Sequence, residues 1–117
     1  MLLDCTLRDG GYYTNWDFDT EMVKDLISAC DLSGVDVIEL GYKSPVKGGK
    51  YRKCNDRFIW DVLDYRLPVN VKLAFMIDAK DFIKDGGVDF SLIDDCINPF
   101  GDSPFEICRL AIKHSEI

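Results

Sequence analysis

Acidic residues stand where three apolar segments of the sequence end. Asp9 follows the run that begins at Leu2, Glu39 comes near the end of the next run, and Asp78 follows the third. Neighbouring parallel strands end at one edge of a sheet, so we expect the three carboxylates to lie together there. Carboxylate oxygens bind Mg²⁺, Mn²⁺ or Zn²⁺, so this edge is the predicted site of metal-assisted chemistry.

An arginine accompanies the first of these acids, because Arg8 directly precedes Asp9 and two glycines follow. A strand gains nothing from burying an ion pair at its tip, which favours a role for both residues at the edge of the sheet. A divalent cation can polarise a ketone and stabilise the enolate formed when a carbon–carbon bond breaks, and an arginine stabilises the same charge. A solvated junction between strand and loop is the alternative interpretation.

Strands and helices alternate along the chain. The apolar patterns predict strands at residues 2–7, 35–40, 71–77 and 105–112, and helices at 19–33, 55–63, 79–85 and 90–97. The strands begin about 34 residues apart, which is the length of one strand, one helix and two loops. The sequence therefore predicts an α/β fold of parallel strand-helix units in one domain, residues 1–117.

The composition restricts the partners and the cellular location. A net charge of −7 argues against nucleic acid and anionic membrane as partners. No apolar run approaches the roughly 20 residues of a membrane span, and the first residues lack the basic segment of a signal peptide, so we expect a cytoplasmic protein. The five cysteines are odd in number and widely spaced, which predicts reduced, mostly buried thiols.

One segment departs from the acidic character of the chain. Residues 43–53 contain five basic residues and no acid, with a proline and two glycines. We interpret the segment as a loop. It either closes over an anionic ligand or lies in solvent.

The segment Asp4–Gly10, together with Glu39, resembles the opening of a family of metal-dependent carbon–carbon lyases built on a TIM barrel. Its members include 4-hydroxy-2-oxovalerate aldolase, 3-hydroxy-3-methylglutaryl-CoA lyase and isopropylmalate synthase, and the family signature D-x-T-L-R-D-G is matched at every fixed position. The resemblance implies that Asp9 binds the metal, that Arg8 stabilises the enolate oxygen, and that Glu39 is an acid near the metal. Since a TIM barrel takes about 250 residues and eight strands, the chain would be its first half.

Two positions depart from the family pattern. Tyr12 stands where the aldolases of the family have a histidine base, so it either transfers a proton or covers the site. The family also completes its metal site with a His-x-His pair, whereas this chain has one histidine, His114, which we expect to face solvent. The resemblance therefore implies that residues outside this chain complete the metal site.

Arg109 is the remaining candidate site residue, in the middle of the fourth predicted strand. If this face of the strand points into the barrel, Arg109 can hold a substrate carboxylate. Asp78 can then hold another part of the substrate. The alternative is an ion pair of Arg109 with Glu106 or with a neighbouring strand.

Taken together, the residues and the resemblance predict an aldolase or lyase that acts next to a 2-keto acid with Mn²⁺, Mg²⁺ or Zn²⁺, and that is inactive as this fragment. A small keto acid would be its substrate. The alternative is a non-catalytic half-barrel or flavodoxin-like module for binding or assembly. A nucleotide-binding domain is less favoured, because Arg8–Tyr12 is neither G-x-G-x-x-G nor a P-loop. The open edges of four strands predict a homo-oligomer.

Overall fold

The computed structural model describes residues 2–7, 10, 18–44, 50–84, 86–88, 90–91 and 103–111. Their strands are β1 (Leu3–Asp4), β2 (Val37–Tyr42), β3 (Lys72–Asp78), β4 (Ile83–Lys84), β5 (Gly87–Val88) and β6 (Ile107–Ala111). The helices are α1 (Thr20–Leu32), α2 (Lys50–Lys53) and α3 (Asp56–Val62), and Ala79–Phe82 form a 3₁₀ helix.

Four of the described strands form one parallel sheet, in the order β1-β2-β3-β6. Their spatial order follows their order in the sequence, which is what consecutive β/α units produce. This confirms the predicted α/β class with parallel strand-helix units, in the arrangement of half a TIM barrel.

Helix α1 begins and ends as its sequence predicts. The side chain of Asp19 accepts a hydrogen bond from the backbone N–H of Glu21, 2.9 Å long, which caps the first turn. Gly34 follows the helix with a φ of +84°, a conformation that most residues avoid. Helix α3 begins in the same way, because Asn55 accepts a hydrogen bond from the N–H of Arg57 at 3.0 Å.

The hydrophobic core lies between the sheet and the helices. Helix α1 contributes Val23, Ile27 and Cys30 at helical spacing, and α3 contributes Ile59 and Val62. These side chains pack against one face of the sheet, formed by alternate strand residues Ile38, Leu40, Leu73 and Phe75. The other alternate residues lie on the opposite face, called here the inner face, which includes Glu39, Ala74, Ile107 and Arg109.

Several predicted bounds are wrong. The first strand covers Leu3–Asp4 and not residues 2–7, because Asp4 accepts a hydrogen bond from the N–H of Thr6 at 3.0 Å and the chain turns into helical conformation there. The next two strands begin and end one or two residues later than predicted. The fourth strand, predicted at 105–112, begins at Ile107, and residue 112 lies outside the described residues. These shifts decide which acids lie at strand ends.

The segment after β3 is also different from the prediction. The sequence predicts a helix at 79–85, but among the described residues of this range only Ala79–Phe82 are helical, and β4 pairs with β5 as antiparallel strands. Gly86, just before β5, has a φ of +82°, a conformation that most residues avoid. Of the predicted helix at 90–97, Phe90 and Ser91 are helical and the rest lies outside the described residues.

Among the residues that are described, no helix combines the length and apolarity needed to cross a membrane.

Candidate functional site

Glu39 is a charged residue inside the protein. It is the third residue of β2, its side chain is 0% exposed, and it lies beside Ala74 of β3 on the inner face. Burial of a carboxylate is costly unless a cation or several donors compensate for the lost water. The position therefore requires a partner.

Arg109 of β6 provides that partner. Its Nη1 donates a hydrogen bond to Oε2 of Glu39, 2.9 Å long, across the intervening strand β3. The same nitrogen lies 3.8 Å from the Sγ of Cys5, just after β1. Because the Arg109 side chain is 39% exposed, the pair joins a fully buried carboxylate to a guanidinium that solvent still reaches. The sequence leaves open a substrate contact or an ion pair for Arg109. An ion pair is present, with Glu39 two strands away and not with Glu106, which lies 3.9 Å from Lys72.

A β-bulge follows Glu39 in the sequence. The register of β2 against β3 shifts between Glu39 and Gly41. A Cβ atom on Gly41 would lie 2.0 Å from the carbonyl oxygen of Tyr51 in α2, so only glycine allows this approach. Bulges redirect side chains next to functional sites. Gly41 and the bulge thus determine the direction in which the Glu39 side chain leaves β2.

Asp78 is not part of this pair. It ends β3, as predicted, and its side chain lies 3.5 Å from the Nζ of Lys80. Glu39 is level with Ala74, four residues earlier on β3, which is about 13 Å away along the strand. The prediction that Glu39 and Asp78 meet at one edge is therefore wrong, because β2 continues to Tyr42 and places Glu39 in its middle.

The remaining predicted site residues Arg8, Asp9 and Tyr12 lie outside the described residues, as does His114, which is expected to face solvent. Within the described ranges, no group of three or more His, Cys, Asp and Glu side chains is arranged to hold a metal ion. The carboxylate of Glu39 is bonded to Arg109. The described residues by themselves do not fit a divalent-cation site, and metal binding remains a prediction that depends on Asp9.

Lys43 is a residue whose role the sequence did not reveal. It was predicted to begin a basic loop, but its side chain is 5% exposed and its Nζ lies 2.5 Å from Oδ1 of Asp56. The ammonium group also lies 5.0 and 5.2 Å from the ring centres of Phe75 and Phe105, within reach of cation–π attraction. Lys43 therefore connects the end of β2 with α3, β3 and the segment before β6, and its ammonium group is paired with the carboxylate of Asp56.

The thiols of Cys5, Cys30, Cys54 and Cys108 are all free, as predicted. Of these four described cysteines, Cys30 and Cys54 are buried, and burial raises the pKa of each above its ordinary value. A raised pKa keeps a thiol protonated and unreactive at neutral pH. Cys5 is partly buried and Cys108 is exposed, so the expectation of mostly buried thiols holds for half of the described ones.

Comparisons with known proteins give similarities in sequence and in fold. No protein-family model matches the chain. Over 91 residues the sequence is 36% identical to homocitrate synthase, cytosolic isozyme, of Saccharomyces cerevisiae, a match that covers 76% of this chain and 21% of the yeast protein. The fold is similar to the solved "N-terminal domain of a putative aldolase" from Bacteroides vulgatus, with a TM-score of 0.74 and 30% identity over 95% of this chain and 35% of that one.

The chain thus spans 21% of the yeast protein and 35% of the Bacteroides chain. Both similarities support a relation to aldolase-like barrel enzymes, which the segment Asp4–Gly10 predicts. They do not distinguish one subfamily from another.

Proposed function

We propose that this chain supplies the first four β/α units of an aldolase-type enzyme that cleaves or forms a carbon–carbon bond next to a 2-keto acid. The observation that carries the proposal is the ion pair between Glu39 and Arg109 on the inner face of a parallel half-barrel. The similarity to homocitrate synthase and to the Bacteroides domain supports the same class.

A charged pair on the inner face favours ligand binding over a purely structural role. Barrel interiors are filled mainly by Val, Ile and Leu, which need no compensating partner. A buried ion pair contributes little net stability, since desolvation offsets most of its attraction. Glu39 and Arg109 are therefore better explained by a polar ligand than by the demands of folding.

Arg109 is proposed to bind the carboxylate of the keto acid. A guanidinium forms two parallel hydrogen bonds with a carboxylate, and its planar shape fixes the orientation of the ligand. The half-exposed Arg109 side chain is accessible to a small molecule, unlike that of Glu39. Asp78, at the end of β3, is proposed to contact a more distant part of the same substrate.

The roles of three further residues follow from the resemblance alone. Arg8 would stabilise the enolate oxygen, Asp9 would be a ligand of Mn²⁺, Mg²⁺ or Zn²⁺, and Tyr12 would transfer a proton or cover the site. Such a cation, when bound, acts as a Lewis acid on the keto group. Residues beyond this chain would complete the coordination of the cation.

The yeast relative is the cytosolic isozyme, which supports a cytoplasmic location.

The proposal is tested by measuring carbon–carbon chemistry in the longest natural protein that contains this segment. The assays are release of pyruvate from 4-hydroxy-2-keto acids and condensation of 2-keto acids with an acyl thioester, each with Mn²⁺ and with a chelator. Arg109→Gln should reduce turnover at low substrate at least tenfold, because it removes the bidentate cation. Glu106→Gln is the matched control, since Glu106 lies just before β6 and is 55% exposed.

Turnover in neither assay, with a folded protein, would contradict the proposal. It would favour the non-catalytic module for binding or assembly.

A further inference from the structure

We infer that Glu39 is a positioning residue that orients the Arg109 guanidinium for the carboxylate of a small 2-keto acid. The inference rests on the proposed function, because that assigns Arg109 to the substrate. It adds that Glu39 acts on the substrate through Arg109.

Glu39 and Arg109 differ in burial, which gives Glu39 an orienting role and Arg109 a binding role. Glu39 is fully buried on β2, and the adjacent bulge and Gly41 leave β2 little freedom to shift. Arg109 lies two strands away with a side chain 39% exposed. In the described part of the chain both contacts of Arg109 use Nη1, which leaves the Nε and Nη2 edge for a second carboxylate. One edge of the guanidinium is thus anchored and the other can bind a ligand.

The charge of Glu39 and its hydrogen bond to Arg109 have opposite effects on the affinity of Arg109 for a carboxylate ligand. The negative charge of Glu39 repels a second carboxylate on Arg109, whereas its hydrogen bond removes rotamer freedom that a ligand would otherwise have to restrict. Freezing an arginine side chain corresponds to about tenfold in affinity or more. If the orienting effect is the larger one, the length of the side chain at position 39 affects the ligand affinity more than its charge does.

Two conservative variants distinguish these contributions. Glu39→Gln keeps the length of the side chain and an oxygen that accepts from Nη1, but removes the charge. Glu39→Asp keeps the charge and shortens the side chain by one methylene, which moves the oxygens out of hydrogen-bond distance from Arg109. Both variants are close to the natural volume, so gross loss of the fold is not expected.

Cys5 and Cys108 provide a reporter and its internal control. The Sγ of Cys5 lies 3.8 Å from Nη1 of Arg109 and is partly accessible. Cys108 directly precedes Arg109 on β6, so it lies on the opposite face of the sheet, where it is exposed. The guanidinium charge is delocalised, so a carboxylate on the Nε and Nη2 edge weakens the attraction of Nη1 for the Cys5 thiolate, the form that iodoacetamide alkylates. A ligand on Arg109 should therefore slow alkylation of Cys5 and leave Cys108 unchanged.

The experiment measures alkylation of the 117-residue chain by iodoacetamide with increasing pyruvate, and mass spectrometry assigns the rate at each cysteine. We expect pyruvate to protect Cys5 alone. The half-protecting concentration should stay within about threefold in Glu39→Gln and rise about tenfold in Glu39→Asp and Arg109→Lys. Thermal unfolding of each variant verifies that it is folded.

The possible failures are distinguishable. An unchanged half-protecting concentration in a folded Glu39→Asp variant overturns the positioning role. Absence of protection in the unmodified chain overturns the carboxylate site at Arg109, and the inference with it. Protection with the expected pattern, in a protein that catalyses no carbon–carbon chemistry, supports the inference and contradicts the proposed function.

Discussion

The guanidinium of Arg109 is bonded to the carboxylate of Glu39, two strands away in the sheet, at 2.9 Å from Nη1 to Oε2. The two residues are 70 positions apart in the sequence. Their contact connects the second and fourth β/α units on the inner face, opposite the face on which the described helices α1 and α3 pack. The stability of the sheet and the proposed site therefore depend on the same pair.

Removal of Arg109 should destabilise the protein, because the buried carboxylate of Glu39 would lose this cation. We expect Arg109→Met to lower the free energy of unfolding by about 1–3 kcal/mol, less than for a fully buried pair because Arg109 is 39% exposed. Urea denaturation provides the measurement. In a double-mutant cycle, Glu39→Gln should cost less in the Arg109→Met background than alone. Equal costs in both backgrounds would show that the two residues are not coupled.

Gly41 should tolerate no side chain. In Gly41→Ala the new methyl group would lie 2.0 Å from the carbonyl oxygen of Tyr51, so β2 and α2 must separate. We expect a loss of about 1–3 kcal/mol or more in the free energy of unfolding, measured by thermal or urea denaturation. Gly87→Ala is the control, because nothing lies within 4 Å of a Cβ there. Similar stability of the two variants would refute the close approach.

Lys43 should contribute more to stability than another lysine of the same basic segment. Lys43→Met keeps the packing on Phe75 and Phe105 but leaves Asp56, 23% exposed, without its cation, which we expect to cost about 1–2 kcal/mol. Lys50→Met removes an exposed lysine 5.9 Å from the ring centre of Phe58 and should change stability by less than about 0.5 kcal/mol. Chemical denaturation of both variants tests the difference, and equal effects would contradict the buried role of Lys43.

The sequence predicts the order of the elements well and the placement of charges poorly. Helix starts depend on local signals, because Asp19 and Asn55 each accept a hydrogen bond from a backbone N–H two residues ahead. The pairing of Glu39 with Arg109 depends on strand register and on a bulge, which no local pattern encodes. The burial of Lys43 depends on Phe75 and Phe105 from distant segments. Both contacts therefore require the assembled sheet.

Asp31 should make stability depend on pH in the acid range. Its carboxylate accepts hydrogen bonds from the backbone N–H groups of Val71, Asn70 and Val69, and these bonds, that of Val71 most, lower its pKa. A pKa lowered in the folded state adds stability above about pH 4, and this stability is lost as the pH falls through the folded value. Asp31→Asn, which loses one acceptor oxygen, should be less stable than the unmodified chain at pH 6.

The difference between Asp31→Asn and the unmodified chain should shrink below pH 4 as Asp31 becomes protonated. Urea denaturation at a series of pH values measures this change. Asp25→Asn, at an exposed acid of the same helix, is the control and should show no comparable trend. A difference that stays constant down to pH 2 would contradict the role of the Asp31 carboxylate.

The open ends of the sheet should cause the isolated chain to associate. Strands β1 and β6 are the outer strands of the described parallel sheet, and Leu110 of β6 is 55% exposed. Unpaired strand edges and apolar side chains favour pairing with another chain, and two half-barrels joined through both edges would leave none open. We therefore predict a homodimer or larger assembly, for which light scattering at micromolar concentration would give at least twice the 13.3 kDa of one chain.

Leu110→Lys should weaken this association, because a charge on β6 opposes contact at the edge. Leu32→Lys is the matched control: Leu32 is 86% exposed at the end of α1, away from the strand edges, and its substitution should leave the assembly intact. A monodisperse monomer of the unmodified chain would mean that the edges are covered within the chain. Equal weakening by both variants would place the contact elsewhere than at β6.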